Sequence, residues 1–185
     1  MRTTLVSLLH YIISAYPSQG LFYKTLHALP PSFLPKDSPE HRWLSSLTSS
    51  LRSRNYVRFE ELTRPAAFAH LLDDNGNNEN QKKPGSSPAA PHSLFKGAFN
   101  ALVDTLRTIS RNTTWSVIRG AYRELSFRVE SEGTRDWLMR TLALRPVIPE
   151  TIGVSVEKWL EDKAAEGHVR PKEGVDGKYI ICKVR

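Results

Sequence analysis

Side chains able to do chemistry are few and scattered along this sequence. The six histidines stand at positions 10, 27, 41, 70, 92 and 168, and none lies three to five residues from another or from the single cysteine, Cys182. Metal sites built from His and Cys use such spacings, so neither a metal nor a cofactor is expected. No Gly-x-Ser-x-Gly elbow and no Gly-x-Gly-x-x-Gly turn occurs. Gly177-Lys178 superficially resembles a phosphate loop, but Lys172 stands where its first glycine would be and Tyr179 where a Ser or Thr would hold magnesium. Cys182 between Ile181 and Lys183 reads as a packing residue of a strand. The adjacent acidic pairs Glu60-Glu61 and Glu161-Asp162 point in different directions on a helix and read as solvated surface. The expectation is a protein that is not an enzyme.

Arginine offers the more specific pattern. Arg107 with Arg111, and Arg119 with Arg123, are spaced i, i+4, which puts each pair on one helix face. Such pairs can hold phosphates; the competing reading is a solvated surface balanced by Asp104 and Glu124. The whole chain is basic, with 26 Lys and Arg against 19 Asp and Glu, a net charge of +7. A surplus of this size favours an anionic neighbour such as RNA or DNA.

The elements that must position these residues follow from periodicity. Leu5, Leu8, Leu9, Ile12 and Ile13 form one stripe of an amphipathic helix. The Met1-Arg2 start before an apolar run also fits a leader segment, yet Thr4, Ser7, His10 and Tyr11 interrupt it. A second helix runs from Glu40 or His41 to Arg52, with Trp43, Leu44, Leu47 and Leu51 on one face. Asn55 caps a third, holding Tyr56, Phe59 and Leu62, and Pro65 opens a segment to Leu72. From Asp73 to His92 no Leu, Ile, Val, Met or aromatic occurs, so residues 73–92 are expected to be a disordered loop. Helical patterning resumes from Leu94 to Ile109. Asn112-Thr113-Thr114, a formal glycosylation sequon, reads as the start of a separate helix carrying Trp115, Ile118, Ala121, Tyr122 and Leu125. Another helix spans Thr134 to Leu144. At 185 residues with 39% hydrophobic content, the chain can bury a core, and no segment is apolar enough to cross a membrane.

The ending changes character. Ser155 caps a helix from Val156 to Glu166, with Val156, Trp159 and Leu160 facing in and Gly167 stopping it. His168–Arg170 and Lys178–Val184 read as strands around an Asp176-Gly177 turn. A helix and a β-hairpin after helices predict a winged-helix ending whose core includes Trp159 and Leu160. That helix holds four acidic residues against Lys158 and Lys163, which would repel phosphates. The hairpin is basic, net +3 over residues 168–185, so Arg170, Lys172, Lys178 and Lys183 join Arg107, Arg111, Arg119 and Arg123 as candidate nucleic-acid contacts of a sequence-indifferent kind. The predicted division is a helical-hairpin domain over 1–150 and a winged-helix part over 151–185.

One stretch carries a family likeness. Ser50-Leu-Arg-Ser-Arg-Asn-Tyr-Val-Arg-Phe-Glu-Glu-Leu62 is similar to the Asn-Tyr/Phe-Val-Arg-Phe-Phe-x-Leu element of the germinal-centre-associated nuclear protein and suppressor-of-actin family. Asn55, Tyr56, Val57, Arg58, Phe59 and Leu62 match the motif, while Glu60 replaces its second aromatic. The helix around Ile118-Arg-Gly-Ala-Tyr122 and the ending also resemble that family's PCI-type module, a mostly α fold of PCI/TPR-like helical hairpins closed by a winged helix. The resemblance implies a shortened scaffold member, with a PCI-type protein and a small acidic subunit as partners, acting in mRNA processing and export in the nucleus. A proteasome-lid, signalosome or initiation-factor-like PCI subunit, cytoplasmic or nuclear, is the alternative, and a winged-helix DNA-binding regulator the third reading.

Overall fold

The computed structural model describes residues 2–72, 90–126, 132–148, 153–175 and 178–182. Among them the chain is mostly helical with one small antiparallel sheet. Its elements in order are α1 (Arg2–Ser14), α2 (Gly20–Ala28), α3 (Pro39–Arg52), α4 (Tyr56–Leu62), α5 (Pro65–Leu72), α6 (Ala90–Ala121), β1 (Glu124–Ser126), α7 (Glu132–Thr141), α8 (Val156–Ala165), β2 (Val169–Pro171) and β3 (Lys178–Ile181).

Local chemistry sets several boundaries. Ser38, Asn55 and Ser155 accept hydrogen bonds from the backbone N–H of His41, Arg58 and Lys158 and so cap α3, α4 and α8, satisfying donors that a helix start leaves unpaired. At the end of α8, Gly167 has φ +72; its N–H bonds to Ala164 and that of His168 to Lys163, the paired closure that favours glycine in the left-handed region.

Two apolar clusters form. In the first, the α1 stripe Leu5, Leu8, Leu9 and Ile12 packs with Phe22, Leu44, Leu47, Phe59, Leu62, Phe68, Phe99, Val103 and Leu106. Trp43, Phe68 and Phe99 contact one another there, ring centroids 5.2 to 6.2 Å apart, and the Trp43 indole donates to the Leu62 carbonyl at 3.0 Å. The second joins Trp115 and Ile118 of α6, Leu138 of α7, Leu142 and Leu144 just beyond it, Val156, Trp159 and Leu160 of α8, and Val169 and Ile181 of the sheet. A division at 150/151 therefore runs through this second cluster.

The sheet has strand order β1-β3-β2, all pairs antiparallel. Val169 pairs with Ile181, both buried under α8. Strand alternation turns Ile180 the other way, between its register partners Arg170 and Glu124.

Four expectations are corrected. Asn112-Thr113-Thr114 does not separate two helices: α6 runs unbroken for 32 residues. The Thr113, Thr114 and Ser116 hydroxyls donate to the carbonyls of Ile109, Ser110 and Asn112, so capping groups are absorbed into the helix. Leu106 on one side and Trp115 on the other anchor α6 in both clusters, which overrides local propensity. Leu125, expected in a helix, lies in β1 and adds a third strand. Residues 90–92, expected in the disordered loop, are helical, while 73–89 lie outside the described residues. The helix expected over Thr134 to Leu144 spans Glu132–Thr141 instead, ending where Ala143 takes φ +48. A further helix, α2, was not foreseen. The Asp176-Gly177 turn, Lys183 and Val184 lie outside the described residues.

Candidate nucleic-acid interface

The eight candidate basic residues do not share one surface. Arg107 is fully buried. Its Nη1 donates to the carbonyl and hydroxyl of Thr63, both at 3.1 Å, and its Nη2 to the carbonyls of Ala143 and Arg145 at 3.2 and 2.7 Å. Burial pulls its pKa down to about 10, partly opposed by the nearby Glu60 carboxylate, so the side chain stays cationic at neutral pH. Arg111 donates to the carbonyls of Leu142 and Ala143, each at 3.0 Å, and its guanidinium stands 5.7 Å from the Trp159 ring centroid. Burial lowers its pKa as well. Arg119 grips the Cys182 carbonyl with Nε at 3.2 Å and Nη2 at 2.8 Å. As a phosphate contact Arg107 is corrected, since it is sealed in the interior; Arg111 and Arg119 are half-buried, and α6 turns all three toward carbonyls near the ends of α7 and β3. The i, i+4 spacing placed Arg107 and Arg111 on one face, which the cores turn inward, whereas Arg123 lies beyond the end of α6 and is exposed.

The other candidates stand outside. Arg123 and Arg170 are exposed, and Lys178 is half-buried. Lys172, half-buried, pairs with Glu124 at 3.1 Å. Lys172 and Lys178 are neighbours on the hairpin, the Lys172 N–H donating to the Lys178 carbonyl. Beside them α8 presents a different field. Glu157 pairs with Arg135 at 3.1 Å and Asp162 with Lys158 at 3.0 Å, while Glu161 is 71% exposed. The hydrogen bond to Asp162 raises the Lys158 pKa. The hairpin thus presents basic side chains, while the acidic ones of α8 are partly met by Arg135 and Lys158.

Trp159 and Leu160, expected in the core, are buried. Trp159 stacks edge-on against Trp115 at 6.3 Å, with the Lys163 ammonium 4.5 Å from its centroid. Of the motif residues, Asn55 caps α4, Phe59 and Leu62 are in the first cluster, and Tyr56 is half-buried, its pKa raised chiefly by that burial. Val57 and Arg58 are exposed, Arg58 paired with Glu61 at 3.1 Å.

Sequence reasoning missed Glu60. Expected on the solvated surface, it is fully buried and takes Arg64 through Nε at 3.0 Å and Nη2 at 2.6 Å, with Arg145 at 4.0 Å. Those bonds raise the Arg64 pKa. Arg145 continues to Asp136, 3.2 Å away, which also pairs with Arg140. This chain of charges ties α4 to α7 across the boundary between the two clusters. No local signal marks it, apart from the position's aromatic character in the resembling family.

His168 sits at the base of the hairpin. Its Nδ1 is 3.3 Å from the Trp115 indole nitrogen and 3.0 Å from a Glu166 carboxylate oxygen. Burial lowers its pKa, Arg119 and Lys163 act in the same direction and Glu166 opposes them; Nδ1 accepts from Trp115 when the ring is neutral and donates to Glu166 when it is protonated. Among the described residues no group of three or more His, Cys, Asp or Glu could hold a metal ion, and no helix is long and apolar enough to cross a membrane.

Compared with known proteins, the chain matches no family model, no curated protein and no solved structure.

Proposed function

We propose that this protein is a non-enzymatic scaffold of the PCI type, whose carboxy-terminal half is a winged helix that docks a second PCI-type protein and touches nucleic acid weakly through its hairpin. The observation that carries the reading is the order of elements around the second cluster: the end of α6, then β1, α7, α8, β2 and β3, with β1 added beside β3. That order supports the winged-helix reading, in which α8 takes the recognition-helix position and β2–β3 the wing. The acidic outer side of α8 speaks against major-groove reading, which needs a helix compatible with phosphate on both flanks. Docking then falls to the sheet face around Ile180, and phosphate contact to Arg123, Arg170 and Lys178. The role in mRNA processing and export, the small acidic partner and the nuclear location rest on the resemblance of the motif from Asn55 to Leu62.

The test is purification of the tagged protein from its own cells, with nuclease treatment and a wash at physiological salt. A stoichiometric PCI-type protein with a small acidic companion is the expected result. Export factors in that fraction support the first reading, and proteasome-lid or initiation-factor subunits support the alternative. Recovery of no protein partner would withdraw winged-helix docking.

A further inference from the structure

A one-sided charge on the described surface lies away from the hairpin. Between residues 41 and 59 the sequence holds Arg42, Arg52, Arg54 and Arg58 and no Asp or Glu. All four arginines are exposed. Only Arg58 has an ion-pair partner among the described residues, the neighbouring Glu61, and surface pairs of that kind hold a charge weakly.

Helical geometry gathers these charges. At about 100° per residue, Arg42, Ser45, Ser46, Ser49, Arg52 and Ser53 fall within an arc of roughly 120° on α3 or just past its end, opposite the buried Trp43, Leu44 and Leu47. Between this face and the start of α4 runs an open groove of about 370 Å³, lined by Ser45, Ser46, Ser49, Ser53, Asn55 and Arg58 among others, with no carboxylate in its wall. Hydroxyls, an amide and the Arg58 guanidinium line this acid-free groove, and Arg42 and Arg52 share the α3 face beside it; these are the groups that contact phosphate oxygens in nucleic-acid complexes.

The backbone adds a second observation. Arg54 follows α3 with φ +54, and its N–H and that of Asn55 close the helix onto Leu51 and Ser50. Glycine is the favoured residue at such a position, and a side chain there costs on the order of 1 kcal/mol. An exposed arginine is held where the fold alone would favour glycine, which points to a use for its charge.

We infer that the α3–α4 groove binds the phosphodiester backbone of single-stranded nucleic acid, as a site separate from the hairpin. A groove of this size between two helices admits one strand. With hydroxyls rather than exposed aromatic rings along it, it tracks the backbone and does not read bases. The inference rests on the nucleic-acid half of the proposed function and gives it a second anchor.

The experiment is fluorescence anisotropy of labelled oligouridylate with the full chain, over a range of salt concentrations. Compared are wild type, the groove variant R42Q/R52Q/R54G/R58Q, the added-carboxylate variant Ser49→Glu, and the hairpin variant R123E/R170E/K178E. The groove variant is expected to bind roughly tenfold more weakly, with the slope of log affinity against log salt reduced by about 2. Ser49→Glu is expected to weaken binding in the same direction without removing an arginine. Thermal melts of both variants verify that the fold persists. Full affinity in both, alongside a loss in the hairpin variant, would overturn the groove and leave the hairpin reading standing. Full affinity in all three variants, or no binding by wild type, would remove both. Loss of binding to phosphatidylserine vesicles with oligouridylate affinity intact would reassign the groove to a membrane surface and overturn the inference.

Discussion

Arg107, in the middle of α6, donates from Nη2 to the carbonyl of Ala143 at 3.2 Å, a residue beyond the end of α7 that holds φ +48 without being glycine. The same carbonyl accepts from Arg111 at 3.0 Å. Ala143 is buried, so its strained conformation is held by packing and two guanidiniums. A long helix thereby fixes where the second half of the molecule begins.

Replacing Arg107 by Met is expected to destabilise the protein by about 3 kcal/mol, because the carbonyls of Thr63 and Arg145 lose their charged donor and that of Ala143 keeps only Arg111. Urea unfolding followed by circular dichroism measures it. Arg107→Lys should recover less than half of the loss, since an ammonium cannot reproduce the planar fork. A variant as stable as wild type would mean that α6 does not anchor the turn through this side chain.

Glu60 and Arg64 should be strongly coupled. In a double-mutant cycle with Glu60→Gln and Arg64→Met, an interaction of about 1 to 3 kcal/mol is expected, as for a pair with one partner wholly buried. Added salt should reduce it little, because buried pairs are screened less than exposed ones. An interaction that vanishes at high salt would place Glu60 in solvent.

His168 gives stability a pH dependence of defined sign. Its folded pKa lies below the ordinary value near 6.5, so between the two values the unfolded chain binds more protons and stability falls as pH drops. The contribution is complete above about pH 6.5 and is lost progressively down to the folded pKa. Protonation also ends the bond accepted from Trp115. Thermal melts at pH 7.5 and 5.5 should differ more for wild type than for His168→Gln, and an equal difference would show that His168 does not contribute.

At the end of α8, Gly167→Ala is expected to cost about 1 kcal/mol. No atom lies within 4 Å of where the new Cβ would stand, so the cost is conformational and not steric. Chemical denaturation detects it, and a neutral result would indicate that the turn relaxes to negative φ.

On the hairpin, R123E/R170E/K178E should weaken nucleic-acid retention with little change in melting temperature, because all three side chains lie outside the two cores. Arg119→Glu should instead lower the melting temperature, since Arg119 secures the Cys182 carbonyl at the end of β3. Binding assays paired with melts separate the two effects.

By itself the sequence determined the elements with strong local signals. The Leu5–Ile12 stripe, the Asn55 and Ser155 caps, the Gly167 stop and the inward Trp159 and Leu160 all follow from periodicity and hydrogen-bonding chemistry acting within a few residues. The tertiary structure alone decided which polar residues face outward. Arg107 and Arg111 share a helix face with the spacing of a phosphate clamp, and Glu60 stands in a charged run that reads as surface, yet all three meet partners 30 or more positions away or lie sealed beneath them. The continuity of α6 through Asn112-Thr113-Thr114 and the addition of β1 to the sheet have the same origin: two apolar clusters, assembled from distant segments, outweigh the local preference for a cap or a helix. Burial depends on those distant segments, and spacing along the chain carries no record of it.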